Sequence, residues 1–245
     1  KLPYDTMSPH QDIISERLNT LYRLPSLTKG IVVVPITTLL QRLMPMSYLL
    51  GNSLMVSIGD KIDVDQLRHN LERAGYHAVD TVYEHGEFAV RGSLIDIFPM
   101  GSQCPYRIDL FDDEIETLRT FEPESQRTID KVNEIRLLPA KEFPLNKTGI
   151  SLFKQKWLAQ FDVNHKACPI YQDISDGITP AGIEYYLPLF FDSLSTLFDY
   201  LPKQTQLFAV GNLEKAAEQF WTELLRRYES RRVDPTRPIL PPRDI

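Results

Sequence analysis

Between Gly86 and Phe121 the chain reads GEFAVRGSLIDIFPMGSQCPYRIDLFDDEIETLRTF. Its side chains alternate in character with a period of two. Phe88 and Val90 point one way, and Ala89 and Arg91 the other. After Gly92, Leu94 and Ile95 lead into Ile97 with Asp96 opposite. Pro99, Gly101 and Ser102 form a turn, and then Tyr106, Ile108 and Leu110 alternate with Arg107, Asp109 and Phe111. Asp112 and Asp113 make a tight polar turn before Ile115, Leu118 and Phe121. A period of two broken by turn residues predicts two hairpins of an antiparallel sheet with one face buried and one in water. The outward face would carry Arg91, Arg107 and Arg119 beside Phe111. A solvated face needs charge but no large aromatic, and arginine with an aromatic is the composition of a protein-binding hot spot. The simpler reading of the same arginines is cross-strand pairing with Asp96, Asp109 and Glu116, worth a few tenths of a kcal/mol each.

Other function classes are weakly represented. The net charge of -6 argues against a general nucleic-acid surface, which requires clustered lysine and arginine. No apolar run is long enough for a bilayer span, and no signal peptide is expected. Cys104 and Cys168 are far apart without metal-ligand spacing and are expected as reduced thiols in a cytoplasm. His10, His69, His77, His85 and His165 show no ligand spacing either. The acidic cluster Asp112, Asp113, Glu114 and Glu116 is better explained by a hairpin turn than by a metal. No GxxxxGK[ST] phosphate loop is present.

The rest of the chain reads as α/β and α+β. Ser8 with Pro9 and Gln11 has the pattern of a helix start, followed by the apolar face Ile13, Ile14, Leu18 and Leu21. The continuous apolar run Ile31–Pro35 suits a parallel strand buried on both faces, with a short helix over Thr37–Leu43. A strand over Leu54–Ile58 and a helix capped by Asp63 then lead into the hairpins, and a last strand follows at Ile135–Leu138. Helices return with the face Ile150, Phe153, Trp157, Leu158 and Phe161. A strand at Gln206–Val210 precedes a long helix with the inner face Leu213, Ala217, Phe220, Leu224 and Tyr228; Trp157 and Trp221 are expected in the core. The tail Asp234–Pro242 holds four prolines and is expected as an extended linker.

GEFAVRGSLIDIFP followed by PYRIDLFDDEIETLRTF closely resembles a block of the bacterial transcription-repair coupling factors (the Mfd family), and more loosely the excision-repair protein UvrB. The first resemblance runs the whole length of the chain. It implies the N-terminal UvrB-homology region of that family: a degenerate, partial RecA/helicase-like α/β domain with an inserted α+β domain built on an antiparallel sheet. The implied division is residues 1–51 and 140–233 for the helicase-like domain, 52–139 for the insert and 234–245 for a proline-rich linker. In both families this block belongs to the domain that docks UvrA, and Arg91, Arg107 and Phe111, with Arg119 beside them, fall on the implied contact positions. Other implied partners are the C-terminal domains of the same polypeptide; RNA polymerase and DNA would be reached only through other domains.

Two departures from UvrB bear on chemistry. The segment IEYYLPLFFDSLSTLFDYLPKQTQLFAVGNLE resembles the UvrB segment ending in a strand followed by Asp-Glu-Ser-His, whose acid pair binds Mg²⁺ and activates water. Here Gly211, Asn212, Leu213 and Glu214 stand at that place, and Glu214 is expected as a first-turn acid of the following helix. The aromatic-rich hairpin with which UvrB clamps damaged DNA is replaced by the short stretch Leu2–Met7. The resemblance therefore implies a non-catalytic binding module with no cofactor, ATP and Mg²⁺ belonging to a C-terminal motor. The alternatives are an ATPase or DNA-processing domain whose phosphate loop lies outside the chain, and an autoinhibitory module folding back on that motor.

Overall fold

The computed structural model describes residues 4–245; Leu2 and Pro3 lie outside them. In chain order the elements are α1 (Gln11–Arg23), α2 (Ile36–Leu39), α3 (Met46–Gly51), β1 (Leu54–Ser57), α4 (Val64–Arg73), β2 (His77–Ala78), β3 (Glu87–Arg91), β4 (Leu94–Ile97), β5 (Tyr106–Phe111), β6 (Glu114–Phe121), β7 (Thr128–Val132) and β8 (Glu134–Leu137). Then come α5 (Lys147–Gln160), α6 (Pro169–Ser175), α7 (Leu197–Tyr200) and α8 (Leu213–Arg231). The chain divides into two compact units. One holds Pro9–Tyr22 and Ser47–Pro144; the other holds the chain up to Ser8, Arg23–Met46 and Leu145–Ile245. No helix among the described residues is long and apolar enough to cross a membrane.

The first unit is α+β and is built on a sheet of order β2-β3-β4-β5-β6-β7. Only β2 and β3 run parallel; every other neighbouring pair is antiparallel. Both hairpins expected from the alternation are present. Gly92 at φ +63 and Asp112 at φ +59 take the left-handed conformations that such tight turns need. Phe88, Ile95, Ile97, Ile108, Ile115 and Leu118 are buried. The expected last strand is present as β8, which pairs with β1 and not with the sheet, while β7, which was not expected, closes the sheet. Helix α4 is capped by Asp63, whose carboxylate accepts from Gln66 N at 2.9 Å. α1 buries Leu18 and Leu21. It meets the turn after β4 closely: Gly101 N donates to Ser15 Oγ at 2.8 Å, and a Cβ on Gly101 would lie 3.2 Å from Asn19 Cβ.

The second unit has an aromatic core. Trp157, Phe153, Tyr186, Tyr200 and Phe190 are buried, with Trp157 stacked 5.6 Å from Tyr186. Several expectations fail here. Ile31–Pro35 forms no strand, and Ile31 is 92% exposed. Gln206–Val210 forms none either, and Leu207, Phe208 and Val210 are exposed. An apolar run becomes a strand only where a neighbour pairs its N–H and C=O groups. Among the described residues of this unit the only β pairing is the isolated bridge Leu43–Ser195. Helix α8 buries Leu224 alone, so Trp221 and Leu213 lie exposed rather than in a core, as does Leu158 on α5. α1 begins at Gln11 rather than Pro9, and Ser8 Oγ accepts from Gly182 N at 3.0 Å instead of capping it. The proline-rich tail is not a free linker: Tyr4 donates to Leu240 O at 2.8 Å and Tyr186 to Pro238 O at 2.7 Å, and Leu240 is buried. Burial pushes the Tyr186 phenol up to about 12.

Candidate partner-docking surface

The register of the sheet decides which side chains share a face. Ala89 pairs with Asp96, Asp96 with Arg107, Arg107 with Arg119, and Arg119 with Lys131. Directly paired residues point to the same side, so these five form one row across the strands. Arg91 lies two residues from Ala89, and Phe111 four from Arg107, so both belong to this face. Ile108 and Leu110 are buried on the other side. The four residues expected on the outward face therefore do share it. Phe111 is 74% exposed.

The arginines are not free. Asp96 is fully buried and is gripped from two sides. Arg107 donates from Nε to Oδ1 at 2.7 Å and from Nη2 to Oδ2 at 2.9 Å, and Arg91 donates from Nη2 to Oδ2. Arg107 also donates from Nη1 to Gln126 O at 3.2 Å, and its guanidinium carbon stands 4.8 Å over the Phe121 ring. The hydrogen bonds to Asp96 raise the Arg107 pKa above its ordinary value. Arg119 donates to Asp109, which also accepts from Thr117 Oγ1 at 2.7 Å. Burial pushes the Asp109 carboxyl up, but the hydrogen bonds from Thr117 and Arg119 outweigh it and hold it below the usual carboxylate range. The pairing of arginines with Asp96 and Asp109 is thus real and coexists with the exposed aromatic.

Sequence reasoning missed two features of this face. The first is the two-sided grip: pairing of the arginines with Asp96 was expected, but not that Arg91 and Arg107 share one buried carboxylate, for which an aspartate set between apolar neighbours, LIDI, was the available signal. The second is a small apolar cluster, Val82, Ala89, Phe98 and Phe121, with Val79 packed on it. It covers the Phe121 end, and the adjacent buried residues Phe88 and Ala89 were its signal. Gln126, at φ +59, donates from Nε2 to Val82 O at 3.1 Å and so ties the two loops together. At the other end the loop after β1 fastens the β5–β6 tip. Gly59 N donates to Ile115 O at 2.9 Å, Ile115 N to Asp60 O at 2.9 Å, and Ile62 N to Asp113 O at 2.7 Å, while Lys61 pairs with Asp113 at 3.1 Å. Phe111 therefore projects from a strand end held by backbone bonds.

The remaining candidates have structural partners. His85 lies 2.8 Å from Asp12 Oδ1 through Nδ1 and 2.8 Å from Ser102 O through Nε2, which fastens α1 to the turn after β4. Asn212 caps α8, accepting from Lys215 N at 2.9 Å, and Glu214 sits in the first turn. No group of His, Cys, Asp and Glu that could hold a metal ion occurs among the described residues.

Residues 54–143 match the family of the UvrB interaction domain. This stretch contains the whole row of arginines. The entire chain is 52% identical to the transcription-repair-coupling factor of Escherichia coli (strain K12) over 245 residues. The chain belongs to the transcription-repair coupling factors. The identity is 50% to the factor of Haemophilus influenzae, again over the whole chain, and 30% over 232 residues to that of Bacillus subtilis. The chain spans about a fifth of the length of these relatives, 21% for the first two and 19% for the third.

Proposed function

We propose that the chain docks UvrA through the arginine-bearing face of the sheet, and that the longer protein thereby recruits nucleotide excision repair to RNA polymerase stalled at DNA damage. The observation that carries this reading is Phe111, exposed on the same face as Arg91, Arg107 and Arg119. A phenylalanine in water gains from being covered, and a partner that buries it recovers that apolar area. The match of residues 54–143 to the UvrB interaction domain supports the assignment to this unit.

In this reading the chain is a non-catalytic module of a cytoplasmic repair factor. It takes no cofactor; ATP and Mg²⁺ serve a C-terminal motor. RNA polymerase and DNA are met through other domains. Asn212 as a helix cap supports the absence of hydrolysis, because its side chain is engaged by Lys215 N where a metal-binding acid would be needed. The exposed apolar runs Ile31–Val33 and Leu207–Val210 support a further contact, with other parts of the same polypeptide, completing a degenerate helicase-like domain.

The deciding experiment is binding of purified UvrA to this chain. Arg91→Glu and Phe111→Ala are expected to abolish or strongly weaken it, while Lys154→Glu and Arg226→Glu leave it unchanged. Binding that survives Arg91→Glu together with Phe111→Ala would place the docking face elsewhere.

A further inference from the structure

We propose that Asp96 is the positioning residue of the docking face: it holds the Arg91 and Arg107 guanidiniums in one fixed arrangement before a partner arrives. The inference rests on the UvrA-docking reading and adds to it a residue that touches no partner.

A carboxylate in the middle of a central strand, with no exposed surface, is costly unless its oxygens are satisfied by charged donors. Here both are, through three charge-assisted hydrogen bonds from two arginines. The consequences for the two arginines differ. Arg107 is fixed on every side: by the two-pronged bond to Asp96, by Gln126 O, and by Phe121 beneath its plane. Its side chain is only 16% exposed, so it presents an edge of the guanidinium and little else. Arg91 approaches the same carboxylate from β3 and keeps 45% of its side chain exposed. It is the arm that reaches a partner.

One carboxylate between two guanidiniums leaves a net positive charge on the face and cancels the repulsion that would splay the pair. Long side chains ordered in advance need not be ordered on docking, and that is where pre-organised interfaces gain affinity. The carboxylate thus sets both the geometry and the charge that the partner meets.

The test is a double-mutant cycle on UvrA binding, with the unaltered chain as reference. Asp96→Asn keeps the shape and removes the charge; it should weaken binding about tenfold or more, as loss of one partner of a buried charged pair does. Combined with Arg91→Ala it should be no more than about twofold worse than the weaker single variant, because both changes remove one unit. Combined with Phe111→Ala the two losses should multiply. The Arg107 Nε–H nuclear magnetic resonance signal should exchange slowly with water in the unaltered chain and rapidly in Asp96→Asn, with no partner present. Affinity within twofold of the unaltered chain, multiplication with Arg91→Ala, or an unchanged Nε–H signal would each overturn the positioning role while leaving docking intact. An unaltered chain that fails to bind UvrA would overturn the docking reading instead. Should Asp96→Asn not fold, Arg107→Lys takes its place: it keeps the charge but lacks the fork, and the same tenfold loss is expected. Retention within twofold would refute the clamp.

Discussion

Ile95 and Ile31 carry the same side chain in short apolar runs of the two units. Ile95 is fully buried in a central strand, whereas Ile31 is 92% exposed in a segment with no ladder. The difference lies in where each run finds its neighbour. From β3 to β7 every strand pairs with the next one in the chain, so connections of eight residues or fewer bring each run its partner. Ile31–Val34 and Leu207–Val210 have no such adjacent run. Apolar composition equips a segment to be a strand; a partner at short range makes it one.

The comparison is broken most directly by Ile95→Ala against Ile31→Ala. The first should destabilise the sheet unit by about 2–5 kcal/mol, since it leaves a cavity between its cross-strand neighbours Val90 and Ile108. The second should stay within about 0.5 kcal/mol. Denaturant unfolding followed for each variant decides it, and equal losses would mean that Ile31 is buried after all.

A similar contrast holds for two exposed aromatics. Phe111→Ala should weaken UvrA binding by about 2 kcal/mol or more and leave unfolding unchanged. Phe208→Ala, in a segment even more exposed, should change neither. Titration calorimetry with UvrA reads both.

Asn212→Ala should lower the stability of the second unit by about 1 kcal/mol, because one first-turn N–H of α8 loses its acceptor. Helix content by circular dichroism during thermal unfolding is the measurement. No change would mean that α8 is held by something other than its cap.

The smallest effect concerns pH. The Asp109 carboxyl is held low in the folded chain, so its contribution to stability is fully present above the ordinary carboxylate value of ~3.9 and is lost as pH falls through its lowered value. Thr117→Val removes one of the bonds that lower it. The acid limb of the unfolding curve should then move to higher pH, and an unmoved limb would show that the Thr117 bond contributes nothing.

How much was legible follows the same division. Alternation from Phe88 to Leu118 predicted the hairpins, their turns and the shared face of Arg91, Arg107 and Phe111, because a period of two is a local signal. The last strand was legible as a strand at β8, but β7 was not read, and neither was the partner of β8, which is β1, about eighty residues earlier in the chain. The role of Asp96 could be read only as a possible cross-strand pair, because the two-sided grip depends on register. In the second unit, periodicity along α5 placed Phe153 and Trp157 in the core correctly but misjudged Leu158, and the proline count of the tail concealed the carbonyls that Tyr4 and Tyr186 hold.

The fastening of the β5–β6 tip by the loop after β1 has a consequence on a slower clock. Amide hydrogens engaged on both sides of a strand exchange only when that strand opens. The amides of Gly59, Ile62 and Ile115 should therefore remain unexchanged as long as those deep in the sheet, although Phe111 beside them stands in water. A solvent-facing ring on so slowly opening a backbone meets every encounter in one pose, and rejects a mismatched surface by shape instead of remoulding to it.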